Sequence, residues 1–317
     1  MKTLVTGGAG FIGSHLADKL ASLDNEVIII DNFSSGSMDN IRHLLKNPNV
    51  TVKKLDLKDH NKVLEEVRDI DIIFHFAANP EVRVSTTHPR IHFQENIVTT
   101  FNILEAMRIN NIGKLVFASS SSVYGEPENI PVDESAPIKP VSVYGASKAA
   151  CENLIYTYTR LYNINAVILR YANVIGPRLR HGVIYDLLMK IKKDRSQLEV
   201  LGDGTQVRSY IYIEDAVEAT LKTAEDMKQE YEVYNIASED WITVNDIVEQ
   251  IKKQLDLYNL KIIYKPVLHG VGWPGDVKKI ALDITKIKKI GYKPKYKSIK
   301  AVENTIKSIV KEENITA

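Results

Sequence analysis

The sequence predicts an α/β protein in which a parallel β-sheet carries helices on both faces. Three observations indicate this class. Short apolar runs alternate with helical periodicity through the first half of the chain, a glycine-rich turn follows the first run, and small or polar residues stand where several runs end. Hydrophobic residues make up 44% of the 317, which is enough for a sizeable core.

Most of the predicted strands lie in the first half of the chain. Six are expected, at residues 2–6, 27–30, 50–55, 71–76, 114–118 and 165–170. Helices are expected between them, including one over about residues 93–107. In the second half we predict a strand at residues 210–213 and helices at residues 183–193, after Thr243 and after Ser298. Because ligands bind outside the carboxyl ends of parallel strands, the functional site is expected at that edge.

The composition argues against a nucleic-acid or membrane partner. The net charge is +1, so no basic excess attracts either one. No run reaches the ~20 apolar residues that a membrane-spanning helix needs. Cys151 is the one cysteine, and Met1 leads almost directly into the first predicted strand, which leaves no room for a signal peptide. We expect a cytoplasmic protein, and His75 and His181 have no partner at metal-ligand spacing, so we predict no metal site.

A glycine-rich turn separates the first predicted strand from the first helix. Gly7, Gly10 and Gly13 recur at every third position there. Glycines in this context allow a tight turn and a close approach of the backbone to a pyrophosphate, which the helix N-terminus then attracts. The turn therefore predicts a dinucleotide site, and the alternative is a glycine-rich turn without a ligand.

An acidic residue, Asp31, ends the second predicted strand. At this point of a dinucleotide-binding unit a carboxylate binds both ribose hydroxyls and repels a 2′-phosphate, which favours NAD over NADP. Asn32, Ser34, Ser35 and Gly36 follow as a polar loop that we expect around the same ribose. The alternative interpretation of Asp31 is a turn residue.

Tyr144 and Lys148 lie four residues apart on a predicted helix that Ser142 caps. This spacing places both side chains on one face of the helix. A lysine ammonium one turn away favours the phenolate over the phenol. The pair is thus predicted to act as a general base near neutral pH, and the alternative is an exposed tyrosine and lysine without a role.

Together these residues resemble the extended short-chain dehydrogenase/reductase family. The likeness covers essentially the whole chain and rests on the glycine turn, Asp31, the serines before Val123-Tyr124-Gly125, the Tyr144/Lys148 pair, Arg170-Tyr171-Ala172-Asn173, Gly176-Pro177-Arg178, Gly202-Asp203-Gly204-Thr205-Gln206-Val207-Arg208 and Pro274-Gly275-Asp276. It implies a Rossmann-type doubly wound parallel sheet with a smaller mixed α/β lobe. Residues 1–172, with a segment near 209–237, are expected to bind NAD, and residues 173–317 a nucleotide-diphosphate sugar.

The serine run helps to choose a reaction within this family. The resemblance places Ser120 at the catalytic position and Ser121 and Ser122 where dehydratases and decarboxylases carry acids. A dehydratase needs an additional acid and base, and an epimerase does not. The resemblance therefore implies 4-epimerisation of a UDP-hexose, UDP-galactose or UDP-glucose. The alternatives are UDP-N-acetylglucosamine or UDP-glucuronate as the substrate, and a catalytically silent NAD-binding regulator.

The resemblance also implies the roles of individual residues. The expected catalytic residues are Tyr144, Lys148 and Ser120. The residues expected at NAD are Gly7, Gly10, Phe11, Ile12, Gly13, Asp31, Asn32, Ser34, Ser35, Gly36, Asp56, Leu57, Phe76, Ala77, Ala78, Asn96, Ser119, Tyr144, Lys148 and Tyr171. The residues expected at the substrate are Arg83, Ser120, Ser121, Ser122, Tyr144, Asn173, Val183, Gln206, Arg208 and Asp276. A homodimer is also implied, through the helices that follow Asn96 and Tyr144.

Two positions bear on the choice of substrate. Trp273 stands where family epimerases usually have an arginine that reaches the diphosphate. Either another cation, Arg83 or Arg178, supplies that charge, or the nucleotide sits differently. Ile280 falls at a position that lines the sugar pocket in the family, and its intermediate size leaves N-acetylhexosamines possible.

Overall fold

The computed structural model describes residues 1–315, apart from the side chain of Leu268. The strands are β1 (Lys2–Thr6), β2 (Glu26–Asp31), β3 (Val50–Lys54), β4 (Ile72–His75), β5 (Lys114–Ser120), β6 (Asn165–Tyr171), β7 (Asn173–Ile175), β8 (Gln197–Leu201), β9 (Val207–Arg208), β10 (Tyr210–Tyr212), β11 (Tyr231–Ile236), β12 (Ile242–Thr243), β13 (Lys261–Lys265) and β14 (Lys279–Ile280). Across residues 1–315, none of the helices combines the length and the apolar character needed to cross a membrane.

The helices alternate with these strands. They are α1 (Phe11–Ser22), α2 (His60–Glu66), α3 (Arg90–His92), α4 (Thr99–Ile109), α5 (Val143–Leu161), α6 (Val183–Lys193), α7 (Ile213–Glu225), α8 (Val244–Gln254), α9 (Thr285–Lys289) and α10 (Ser298–Glu312). A π-helical segment, Phe93–Val98, joins α3 to α4. The helix predicted over residues 93–107 therefore begins earlier, after Pro89, whose fixed φ is compatible with a helix start.

A seven-stranded sheet forms the centre of the molecule, in the order β3-β2-β1-β4-β5-β6-β11. All its neighbouring strands run parallel. The six strands predicted between residues 2 and 170 are confirmed. β11 joins the sheet from the later part of the sequence and was not predicted as a strand. From β1 the chain adds β2 and β3 on one side, and from β4 it adds β5 and β6 on the other. This change in strand order between β1 and β4 opens a crevice at their carboxyl ends.

Apolar side chains cover both faces of this sheet. Along β1, Leu4 and Val5 belong to different buried clusters, and the same alternation places Ile28 and Ile29 of β2 on opposite faces. Successive side chains of a strand point to opposite faces, so a sheet with helices on both sides needs apolar residues at nearly every position. This explains why these strands read as continuous apolar runs in the sequence.

The remaining strands form three small sheets: β7 with β10, β8 with β13, and β9 between β12 and β14. The parallel β8–β13 pair was not predicted. The strand predicted over residues 210–213 is one residue shorter at its end, because Tyr212 has extended backbone angles and Ile213 already begins α7. The helix predicted after Thr243 is confirmed, and Thr243 and Asp246 form a capping box there.

A buried ion pair joins the sheet to α5. Arg170 on β6 lies 2.7 Å from Glu152 on α5, and only 5% and 3% of the two side chains are exposed. Arg170 also donates to the Tyr124 hydroxyl (2.9 Å) and the Glu134 carbonyl (3.0 Å), and the Ser119 hydroxyl donates to Glu152. The charges are thus paired and hydrogen-bonded inside the core, which is the arrangement that buried charges require.

Removal of one partner of this pair should destabilise the protein strongly. Arg170→Met leaves the Glu152 carboxylate buried and unpaired, which is expected to lower the free energy of unfolding by about 3–5 kcal/mol at pH 7. Arg160→Met is the matched control, because Arg160 pairs with Glu230 where both side chains are about 60% exposed, and it should cost under ~1 kcal/mol. Urea denaturation measures both. Equal losses in the two variants would contradict this account of the buried pair.

Candidate active site

A large cleft of about 970 Å³ runs along the carboxyl ends of the central strands. Its walls include the glycine turn, the ends of β2, β4 and β5, the start of α5, and residues of the smaller sheets. All residues that the sequence assigned to a cofactor or a substrate line this cleft, except Gly36 and Asn96. Trp273 and Ile280 line it as well.

The glycine turn is packed too tightly for side chains. A Cβ atom at Gly13 would lie 2.3 Å from the Gly7 carbonyl oxygen, and one at Gly7, whose φ is +66°, would lie 2.7 Å from the Ala77 backbone nitrogen. The Gly10 N–H donates to the Gly7 carbonyl (3.0 Å), and no side chain caps the start of α1. The first N–H groups of α1 are therefore available at the cleft, as a dinucleotide pyrophosphate requires.

Asp31 is held in place by the backbone around it. Its two carboxylate oxygens accept hydrogen bonds from the N–H groups of Ala9 (2.9 Å) and Phe33 (2.8 Å). Burial raises the pKa of Asp31, and these two hydrogen bonds oppose the rise. A Cβ atom at Gly36 would lie 2.8 Å from the Asp31 carboxylate. The absence of a side chain at Gly36 thus lets the loop close behind Asp31. Gly36 was expected at the cofactor, but it does not line the cleft.

Asn96 is the other expected cofactor residue that lies away from the cleft. It is 1% exposed. Its side-chain oxygen accepts from the Asn79 N–H (2.9 Å), and its amide group donates to the Ser147 hydroxyl (2.8 Å). The expectation of a cofactor contact is corrected here, because these bonds use the amide to tie the loop after β4 to α5.

Two cleft residues direct their hydroxyl groups into the protein. Ser119 donates to the buried Glu152 carboxylate. The Tyr171 hydroxyl lies 2.5 Å from the Thr220 hydroxyl. These side chains therefore offer the cleft their carbon atoms, and for Tyr171 the ring, rather than their hydroxyl groups.

Tyr144 and Lys148 lie on the first turns of α5, which Ser142 caps through the Gly145 N–H (3.1 Å). The Ser120 side chain lies beside the Tyr144 phenol and favours its ionised form, and the Lys148 ammonium donates to the Ala118 carbonyl (2.7 Å). This arrangement brings the three expected catalytic side chains to the end of β5.

Burial shifts Tyr144 and Lys148 toward their neutral forms. It raises the pKa of Tyr144 to about 12, although the Ser120 side chain opposes the rise, and it lowers the pKa of Lys148 to about 8. The sequence predicts that Lys148 and a positively charged cofactor together favour the phenolate; in the protein without the cofactor, burial keeps the pKa of Tyr144 above its ordinary value. A base at this position needs a further positive charge beside the phenol.

His75 lies beneath the site and is fully buried. Its ring nitrogens lie 2.6 Å from the Thr6 hydroxyl and 3.1 Å from the Thr100 hydroxyl. Burial, with a smaller contribution from Lys148, lowers its pKa to about 3, so the ring is neutral at physiological pH. Within residues 1–315 no three histidine, cysteine or acidic side chains cluster as metal ligands would.

On the opposite wall, Arg208 and Asp276 form one ion pair at 2.9 Å. The Asp276 carboxylate also accepts from the N–H groups of Gly272 (3.0 Å) and Val277 (2.9 Å). Asn173 lies nearby, where it pairs with Tyr210 in the β7–β10 sheet. Arg208 and Asp276, which the sequence assigned separately to the substrate, are therefore held together as an ion pair.

The two cations considered for the charge missing at Trp273 both have carboxylate partners. Arg83 lies 3.0 Å from Glu81 and, across the cleft, 3.1 Å from Asp186. Arg178 lies 2.8 Å from Asp18 on α1. Either guanidinium would have to exchange a carboxylate for a phosphate. Sequence reasoning missed these partners, because Asp18 and Asp186 lie far along the chain from the arginines they contact.

Comparison with known proteins decides the family. Residues 3–237 match the model of the NAD dependent epimerase/dehydratase family. The chain belongs to this family. Its cofactor is NAD, and the glycine turn that a Cβ atom would fill, the free start of α1 and the fixed Asp31 fit that cofactor.

Three solved structures of nucleotide-sugar 4-epimerases resemble this epimerase/dehydratase chain along its whole length. A UDP-galactose 4-epimerase is 45% identical, with 98% of this chain and 99% of that chain covered and a TM-score of 0.87. UDP-N-acetylglucosamine 4-epimerase from Methanobrevibacter ruminantium M1 is 36% identical, with 98% of both chains covered and a TM-score of 0.87. UDP-glucuronic acid 4-epimerase from Bacillus cereus, solved with UDP-glucuronic acid and NAD, is 32% identical, with 98% and 100% covered and a TM-score of 0.89.

A methyl group in the glycine turn should remove the cofactor. Gly13→Ala places a Cβ atom 2.3 Å from the Gly7 oxygen, so the turn must open, and we expect at least a tenfold loss of bound NAD per protein chain. Gly113→Ala is the matched control, because its nearest neighbour lies at 3.7 Å. NAD released from the purified, denatured proteins is measured by chromatography. Normal NAD content in Gly13→Ala would contradict the assignment of this turn.

Proposed function

We propose that the protein is a 4-epimerase of a UDP-hexose, which interconverts UDP-galactose and UDP-glucose through a transient 4-keto sugar. The observation that carries the proposal is that Tyr144, Ser120 and Lys148 come together in the wall of the cleft at the end of β5. Ser121 and Ser122 follow Ser120, so the residues after it provide no acid for the elimination of water.

The cleft-lining acids on the substrate side support the same choice. Glu81 and Asp186 are paired with Arg83, and Asp276 is paired with Arg208. Burial raises the pKa of Glu81, but the hydrogen bonds and charge of Arg83 outweigh it and hold that pKa below its ordinary value, so Glu81 is a poor general acid. These pairs disfavour a dehydratase.

Each catalytic residue has one task in this reaction. Tyr144, as the phenolate, removes the proton of the sugar 4-hydroxyl, and Ser120 hydrogen-bonds the same oxygen. Bound NAD supplies the acceptor and donor of the C4 hydride. Lys148 binds the nicotinamide ribose, and its charge adds to that of the oxidised cofactor in favouring the phenolate, which burial alone disfavours.

The nucleotide must stay anchored while the 4-keto sugar turns over. Binding energy should therefore lie far from the reacting carbon. We assign this anchoring to Asn173, Arg208 and Asp276, with Val183 and Gln206 beside the nucleotide. In this division residues 1–172, with the segment near 209–237, bind NAD, and residues 173–317 bind the nucleotide sugar.

The second candidate is a 4-epimerase of UDP-N-acetylglucosamine or UDP-glucuronate. Ile280 is the observation that favours it, because this side chain is of intermediate size and stands in the cleft wall. A catalytically silent regulator is disfavoured, because Tyr144, Lys148 and Ser120 are all present at the cleft.

The purified protein should convert UDP-galactose to UDP-glucose without added NAD. UDP-N-acetylglucosamine and UDP-glucuronate are assayed beside it by chromatography. Tyr144→Phe removes the base and should lower kcat by about 10²–10⁴-fold while NAD stays bound. Tyr156→Phe is the matched control, because Tyr156 lies on the same helix and is 50% exposed. Normal turnover by Tyr144→Phe would sink the assignment of the base.

We also propose that the protein is a homodimer. The surface of α4 and α5 exposes large aromatic residues, among them Phe101 and Tyr162, both 41% exposed. Phe93, in the π-helical segment before α4, is 55% exposed. The Phe101 ring packs on Tyr158 and the Tyr158 ring on Tyr162, and an aromatic cluster at a surface of this kind is typical of an interface.

A charge on this surface should separate the subunits. Phe101→Glu buries a carboxylate in the proposed interface, so light scattering should report a monomer where the unaltered protein is a dimer. Tyr258→Glu is the control, because Tyr258 is exposed elsewhere, between α8 and β13. A Phe101→Glu variant that remains dimeric would exclude this surface.

A further inference from the structure

A buried histidine outside the residues described so far lies against the catalytic tyrosine. His92 is the last residue of α3, directly before the π-helical segment, and it is fully buried. Within residues 1–315 neither of its ring nitrogens has a hydrogen-bond partner. An imidazole always carries at least one N–H group, and an unpaired buried donor costs free energy. If the ring only filled space, a phenyl group would fill it without that cost.

The neighbour of His92 is Tyr144. The two ring centroids lie 5.6 Å apart and the ring planes meet at 71°, which is an edge-to-face arrangement. Such pairs attract because a ring edge is positive and a ring face is negative. Tyr144 is thus restrained at two points: its backbone N–H donates to the Ser85 hydroxyl (3.1 Å), and its ring packs on His92.

Two charged groups act on His92 from different elements. The Glu81 carboxylate, on the loop after β4, favours a positive charge on the ring, and Lys148 on α5 opposes it. Burial is the largest effect and lowers the pKa of His92, so the ring is neutral at pH 7. His92 therefore acts on Tyr144 as a polar, uncharged ring.

We propose that His92 is a positioning residue for Tyr144, which restrains the phenol ring and favours its phenolate form. A phenolate ring is more electron-rich than a phenol ring, so it attracts a polar N–H-bearing ring more strongly than an apolar one. The proposal rests on the proposed function in that it takes Tyr144 to be the base. It adds a residue that does not line the cleft.

The test compares His92→Phe with His92→Ala in the NAD-loaded protein. His92→Phe keeps an aromatic ring and removes the nitrogens, so its melting temperature should equal or exceed that of the unaltered protein. The phenolate absorbance of Tyr144 is identified by its loss in Tyr144→Phe. In His92→Phe it should appear about one pH unit higher than in the unaltered protein. The acid limb of the kcat–pH profile should move by the same amount, which is about a tenfold loss of kcat on that limb, while KM stays unchanged.

His92→Ala also removes the ring restraint, so its kcat should stay below that of His92→Phe at every pH. His43→Phe is the control, because His43 lies on the surface beside Asp18 and away from Tyr144, and it should change none of these readouts. A Tyr144 titration that does not shift in His92→Phe would overturn the proposal. So would a kcat of His92→Ala that equals the kcat of His92→Phe at the high-pH plateau of the profile.

The absorbance titration needs no turnover, so it decides the role of His92 even where the sugar substrate is misassigned. A failure of the proposed function is a separate result. It would appear as no conversion of any UDP-sugar by the unaltered protein, or as normal turnover by Tyr144→Phe.

Discussion

Desolvation of the Tyr144–Lys148 pair at the end of β5 is the constraint on which the site depends. Burial disfavours the charged form of both groups, and it drives their pKa values in opposite directions, to about 12 and about 8. In this environment an electrostatic partner acts through a low dielectric and has a larger effect than in water. The same burial that suppresses the phenolate thus makes it responsive to the charge of the oxidised cofactor.

The supporting structure holds this pair by polar contacts inside the core. Lys148 is fixed by the Ala118 carbonyl, and the buried Glu152–Arg170 pair lies one turn further along α5. Asn96 links the same helix to the loop after β4 through Ser147. Each of these bonds connects α5 to the sheet edge where the cofactor is expected, so the catalytic groups and the cofactor site share one rigid support.

Ion pairs connect the two walls of the cleft. Arg83 reaches Asp186 on α6, and Arg178 reaches Asp18 on α1, the helix that begins at the glycine turn. The guanidinium groups of Arg83 and Arg178 are therefore already compensated by carboxylates. Binding of a nucleotide diphosphate at these arginines must replace one anion by another, which favours specificity over gross affinity.

Local motifs made the fold and much of the cleft predictable from the sequence. The glycine turn, Asp31 and the Tyr144/Lys148 pair are each defined by residues close together in the chain, and the structure places all of them at one edge of the sheet. The sequence did not reveal contacts between distant residues or the effect of burial. Asn96 bonds to Ser147 on α5, Arg178 has a partner on α1, and burial raises the pKa of Tyr144. Spacing along the chain does not reveal such partners, and desolvation becomes visible only when the surrounding elements are packed.

The most direct test of the account is the fate of the hydrogen at C4 of the sugar. UDP-galactose labelled with deuterium at C4 is converted in ordinary water, and the product is analysed by NMR and mass spectrometry. A hydride that leaves C4 and returns within the closed cleft keeps the label at C4 of UDP-glucose. Loss of the label to the solvent would show that the hydrogen leaves as a proton, and it would contradict the proposed roles of Tyr144, Ser120 and NAD.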